Sequence, residues 1–286
     1  MVESSSKSSS GSGSGSGSGT SSVASSVASS VASLHDWFRS PLGGYLLARE
    51  RAWLDQVVPD IFGFHAVQLG LPQFDLLRES RIAHRVTVNP EGNAEAGVGV
   101  VAQWHELPFE AQSIDLCLLP HVLEFSENPH EVLREIDRVL RPEGRVLILG
   151  FNPWSLFGTR RLLSSKGFPW QGQFVSLVRM KDWLQLLGFE ASAGRLTCYI
   201  PPCESTVWQK RWGFMESVGD RWWGVGGGVY MLEAIKRVQG VRLIAPAWSN
   251  QKVSERKFAA VAKRESSLLV DAARASRAAA RLRLVK

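Results

Sequence analysis

The chain has 286 residues, a net charge of +6, 44 % hydrophobic and 21 % charged residues. Those proportions allow a sizeable buried core and exclude a chain that is disordered throughout. No apolar run reaches the ~18 residues a membrane span needs. Cys117, Cys198 and Cys203 have neither disulfide-frame nor metal-ligand spacing, so they read as reduced thiols of a cytoplasmic protein, and no metal site is expected.

The composition changes twice along the chain. Residues 1–33 are Ser, Gly, Ala and Val in short repeats, which bury too little to offset their ordering entropy, so a disordered tail is expected. Residues 249–286 form a basic extension. From Gln251 it holds ten Lys or Arg against three acids, a net +7, which leaves the rest of the chain near −1. Contact with nucleic acid through this tail is the minor expectation, since no aromatic residue after Phe258 offers base stacking. Between the tails, residues 34–248 suit one α/β domain.

In chain order, Pro41 and Gly43-Gly44 are expected to break an early piece from a helix over Tyr45 to Val58. Phe64 to Leu69 reads as the first strand and Asp75 to Ser80 as the start of a helix. His84 to Val88 alternates and is a second strand, and Ala96 to Val101 a weaker third. Ile114 to Leu119 is a short apolar run, as in a strand covered on both faces. His130 to Leu140 carries Val132, Leu133, Ile136, Val139 and Leu140 on one helical stripe. Arg141-Pro142-Glu143-Gly144 stops it, and Arg145 to Gly150 is again apolar. Strand, helix and strand within 40 residues make a βαβ unit and hence a parallel sheet. Helices follow near Ser155 to Leu163, Arg179 to Leu187 and Val207 to Val218. Strands follow near Glu190 to Tyr199 and Val229 to Val238.

The string LPFEAQSIDLCLLPHVLEF, with Leu133-Arg134-Glu135, Arg138-Val139-Leu140 and Pro142-Glu143-Gly144 in step behind it, resembles the second half of class I S-adenosylmethionine-dependent methyltransferases, the methyltransferase type 11 group. GFEASAG and GGVYMLEAIKR look like that group's sixth and seventh strands. PHVLEF and GFNPWSLFG look more narrowly like an uncharacterised bacterial branch. The resemblance implies a Rossmann-like seven-stranded sheet of order 3-2-1-4-5-7-6 with the last strand antiparallel. It also implies S-adenosyl-L-methionine as cofactor, lying over the carboxyl ends of strands 1, 2 and 4.

Carried over residue by residue, the group's first signature falls on Gln68, Gly70 and Leu71. Gln68 stands where the group has an acid, and Pro72 and Phe74 stand where it has later glycines. The ribose-binding position falls on Asn89 or Glu91, the adenine edge and face on Gln103 and Trp104. Pro120 and His121 fall where the loop after strand 4 closes beneath the methionine part. His121 is the candidate general base, because its pKa lies near working pH. Asn152-Pro153 follows strand 5 and reads mainly as a turn. Trp154, Phe157, Trp170, Trp208, Trp212, Trp222 and Trp223 supply aromatics on the acceptor side, or core.

Two functions fit these residues. One is methyl transfer to a small-molecule acceptor, in which the protein supplies alignment and an apolar enclosure. The other, favoured by the departures in the glycine signature, is a binding or regulatory protein on the same fold without catalysis.

Overall fold

The computed structural model describes residues 34–90, 99–163 and 167–238, the side chain of Asp220 excepted. Glu91 and the two tails lie outside the described residues. Seven strands form one sheet: β1 (His65–Leu69), β2 (His84–Asn89), β3 (Val100–Val101), β4 (Ile114–Pro120), β5 (Leu140–Phe151), β6 (Phe189–Thr197) and β7 (Val229–Lys236). Their order is β3-β2-β1-β4-β5-β7-β6, and β7 runs antiparallel to both neighbours, as expected.

Both faces of the sheet are covered, which is why its central strands are continuous apolar runs rather than alternating ones. In β4, Leu116 and Leu118 enter one core, and Cys117 and Leu119 the other. The first core is closed by α1 (Pro41–Val57), through Leu42, Leu46, Leu47, Trp53 and Leu54. The second is closed by α3 (Pro129–Val139), whose stripe of Val132, Leu133, Ile136 and Val139 is fully buried. Each such side chain contributes about 1.5–3 kcal/mol through burial. Between them lies the short α2 (Val122–Phe125), followed downstream by α4 (Leu156–Leu163), α5 (Leu177–Leu186), α6 (Thr206–Trp212) and α7 (Phe214–Trp222).

Four expectations are corrected. Pro41 and the glycine pair do not break a helix: Pro41 occupies its first turn, Ser40 caps it through Oγ to the Gly43 amide (3.1 Å), and α1 runs on from there. A Cβ on Gly43 would lie 2.2 Å from the Trp37 carbonyl oxygen, so glycine permits the tight approach of residues 34–38 to α1. Asp75 to Ser80 forms turns rather than a helix. Val207 to Val218 is two helices, α6 and α7, jointed at Gly213. The strand after the Arg-Pro-Glu-Gly stop also begins earlier than its apolar run, because Leu140 already pairs with Ile114.

Candidate functional site

The carboxyl ends of β1, β2 and β4 lie side by side in register. At the end of β1 the backbone turns through two successive left-handed residues, Gly70 (φ 73°) and Leu71 (φ 47°). Gly70 adopts that conformation freely; Leu71 is held in it by its surroundings. The Gly70 amide donates to the Val88 carbonyl (2.8 Å), tying the turn to β2.

Gln68 organises this turn from inside. Its amide nitrogen donates to the carbonyls of Gly70 (3.1 Å), Leu71 (3.1 Å) and Phe74 (2.9 Å), and its Oε1 accepts from the Leu76 amide (3.1 Å). These bonds saturate the side chain and give the β1–β2 connection its helix-free path. An acid here could accept but not donate, and would remove the donor from the Gly70 and Phe74 carbonyls, while the Leu71 carbonyl would keep the Phe74 amide (3.0 Å).

A cavity of about 10 Å³ sits at this edge, lined by Leu34, Gly70, Leu71, Trp104, Pro120, His121, Val122 and Phe125. It therefore gathers five of the residues named from the sequence: Gly70, Leu71, Trp104, Pro120 and His121. Asn89 and Gln103 stand near the end of β2 and just after β3 without lining it, and the Asn89 carbonyl accepts from the Ala102 amide (3.2 Å). Trp104 is buried, its ring 3.5 Å from where a Cβ on Gly70 would lie, and its indole Nε1 has no hydrogen-bond partner. The cavity holds about one water. Leu34 and the ring of Trp104 fill the space around it.

His121 is left-handed (φ 55°) and its amide donates to the Leu149 carbonyl (2.9 Å), so the chain turns sharply from β4 into α2. Its ring is fully buried. Nε2 is 2.7 Å from Oε1 of Glu50 on α1, Nδ1 is 3.5 Å from Oε1 of Glu124 on α2, and the ring packs against Phe151 at 4.3 Å. Burial would lower its pKa, but the Glu50 and Glu124 carboxylates outweigh burial and raise it to about 10. The two carboxylates thus favour the protonated imidazolium. In this arrangement the expected general base is enclosed between Glu50 and Glu124 and lines the cavity. Glu124 also accepts from the Phe151 amide (2.6 Å), and Oε2 of both carboxylates has no hydrogen-bond partner. Sequence reading missed Glu50 and Glu124. A lone Glu on an amphipathic helix carries no signal that it faces inward.

Along the same edge, Asn152 is buried at the end of β5. Its Nδ2 donates to the carbonyls of Val225 (2.7 Å) and Gly227 (2.9 Å), and its Oδ1 accepts from the Trp154 amide (3.1 Å). The Asn-Pro turn thereby clamps the glycine-rich segment before β7. Beside the clamp opens a groove of about 620 Å³ between α4 and that segment, walled by Trp154, Leu156, Leu162, Trp222, Trp223 and Val225. Three of the aromatics singled out from the sequence meet here. Phe157 and Trp170 are core instead.

Residues 76–148 match the family model described as a methyltransferase domain, the type 11 group that the sequence resembles. Among curated proteins, the uncharacterized protein YafS of Escherichia coli is 39 % identical over 133 residues, 46 % of this chain and 54 % of that protein. The uncharacterized protein MJ1123 of Methanocaldococcus jannaschii is 32 % identical over 94 residues, 32 % of this chain and 45 % of that one. The chain thus spans about half the length of these relatives. Among solved structures, a SAM-dependent methyltransferase from Thermotoga maritima superposes with a TM-score of 0.54 at 17 % identity, over 71 % of this chain and 93 % of that one. A chain from the complex of the Haloferax volcanii Trm112 methyltransferase activator gives 0.53 at 16 %, over 76 % and 99 %. At these identities the likeness is one of fold, and the fold is that of class I methyltransferases.

Proposed function

From a methyltransferase domain match over residues 76–148 and a class I methyltransferase sheet, we propose that the chain binds S-adenosyl-L-methionine and transfers its methyl group to a small-molecule acceptor. The observation that carries this reading is the convergence of Gly70, Leu71, Trp104 and Pro120 on one cavity at the carboxyl ends of β1 and β4. The residue types fit the cofactor. The turn at Gly70 brings bare backbone to the cavity, and the unpartnered Trp104 Nε1 is a buried donor awaiting an acceptor. The volume fits only when Leu34 and the chain around it move aside, because drug-sized ligands need about 300 Å³ or more.

When bound, the cofactor supplies an electrophilic methyl group on a sulfonium. The protein's part is enclosure and orientation. Asn89 offers a neutral hydrogen-bonding side chain at the end of β2, and Glu91 follows it in sequence. Gln103 precedes Trp104, whose ring covers the cavity from one side. Gln68 holds the turn rather than the ligand. His121 acts as a positioning residue, fixing α1 and α2 against the end of β5 through Glu50 and Glu124. In this role His121 takes no proton, and any proton that the acceptor loses goes to solvent.

The small closed cavity and the buried His121–Glu50 pair favour a second reading, a catalytically inactive binding or regulatory protein. Isothermal titration of the full chain with S-adenosylmethionine decides between them. Saturable binding that Gly70→Val abolishes supports the first. No binding at millimolar cofactor removes it and leaves the second.

A further inference from the structure

The groove beside Asn152 is part of a larger apolar face that the proposed reaction does not explain. Trp154, Leu162, Leu163, Trp222, Trp223 and Val225 are all between 55 % and 88 % exposed. Side chains of this size are seldom left together in water unless they meet a partner or a membrane. Among the described residues no helix is long and apolar enough to cross a bilayer, so this is a face and not a span.

The charge on α4 and α7, and on α6 jointed to α7 at Gly213, is one-sided by sequence: Arg160, Arg161, Lys210, Arg211 and Arg221 against Glu216 and Asp220. Arg160 and the half-buried Arg161 lie over the rings of Trp170 and Phe174 (5.0 and 5.2 Å), which leaves the exposed positive charge to Lys210, Arg211 and Arg221. Glu216 does not count toward the surface. It is turned inward, accepting from the amides of Cys198 (3.2 Å) and Tyr199 (3.1 Å) and from the Tyr45 hydroxyl (3.0 Å). The basic excess is local, because the chain ahead of Gln251 is near −1 as a whole. The complement of such a face is apolar and negative. The chain's own basic extension, +7 from Gln251 onward, is like-charged, and a second copy would present the same sign. Neither is the electrostatic match.

We propose that the face formed by α4, α6, α7 and residues 222–226 docks on an anionic lipid surface. Tryptophan is the residue that settles at the boundary between headgroups and acyl chains, apolar on one edge and donating on the other. Short helices with exposed Leu and Trp and flanking Arg lie in that plane, held by burial and by attraction to anionic lipid. Because the groove opens between the carboxyl end of β5 and the start of β7, docking turns that end of the sheet toward the lipid.

Co-sedimentation of the full chain with vesicles tests this. One set is phosphatidylcholine alone, the other equimolar phosphatidylcholine and phosphatidylglycerol. The wild type should pellet with the anionic vesicles and about tenfold less with the neutral ones, and W154S/W222S/W223S should cut the anionic binding by about tenfold. All three positions are exposed, so the fold is expected to survive, which circular dichroism verifies. Lys210→Glu with Arg221→Glu should weaken binding independently, so the result does not hang on one variant. The tail alone could hold the chain on anionic vesicles, but such binding would ignore the tryptophans. Full binding by both sets of variants, or no binding by the wild type, therefore overturns the proposal. So does Trp-dependent binding to polyglutamate with none to vesicles, which would mark an acidic protein as the partner.

Discussion

Two hollows lie along one edge of the sheet, and they differ about sixtyfold in size: about 10 Å³ where β1 and β4 end, about 620 Å³ where β5 ends and β7 begins. Both are formed by loops at strand termini. The first is shut by chain from elsewhere in the sequence, with Leu34 lying in it and Glu50 of α1 reaching His121 beside it. The second stays open: its walls are a two-turn helix and a segment whose large side chains, Trp222, Trp223 and Val225, are more than half exposed. The contrast teaches that the small hollow is small by packing rather than by lack of architecture.

The largest expected effect comes from cutting the closure at its charged centre. Glu50→Ala leaves the His121 imidazolium buried beside Glu124 alone, and loss of one partner of a buried pair costs about 3–5 kcal/mol. Urea unfolding should show a lower midpoint and an unfolding free energy reduced by that amount, and an unchanged midpoint would mean the pair does not hold the cleft shut. The same pair sets a pH dependence. The His121 pKa is raised to about 10, so its stabilisation is fully present below about 6.5 and is lost as pH rises toward 10. Thermal midpoints should fall across that alkaline window in the wild type and much less in Glu50→Ala.

Next comes the open hollow. A Cβ on Gly158 would lie 1.9 Å from the Pro153 carbonyl oxygen, a backbone atom that no rotamer change relieves. Gly158→Ala should therefore push α4 from the Asn152 clamp and cost about 3 kcal/mol. Fluorescence of the groove tryptophans would report the altered groove; wild-type stability would refute the contact. Smaller again is Leu34→Ala, expected to cost about 2 kcal/mol while raising cofactor affinity several-fold, because the open form needs less displacement. Calorimetric affinity equal to wild type would show that Leu34 does not gate the cleft. Smallest is Gly70→Ala. It places a side chain at φ 73° for about 1 kcal/mol of strain, its Cβ meeting only ordinary contacts.

The βαβ unit from Ile114 to Phe151 was readable in the sequence because its burial is two-sided and its helix stripe uninterrupted. Such patterns depend on near neighbours alone. The misreadings share an opposite cause. Pro41 and Gly43-Gly44 signal a break locally, yet Ser40 caps them into α1 and Trp37 demands the glycine. Asp75 to Ser80 has a helical composition, yet Gln68 bonds the connection into turns. Of the candidate site, Gly70 and Trp104 were named by carrying over the group's signatures, and the structure brings them to one cavity. Glu50 was not named, because 71 residues separate it from His121 and only the fold joins them.

The end of β5 has one more consequence. Phe151 gives its amide to Glu124, which faces His121, and the next residue, Asn152, holds the segment that walls the groove. The last residue of β5 and the one that follows it are thus anchored to the two hollows in turn, so a substitution that displaces this strand end would disturb the partners of both.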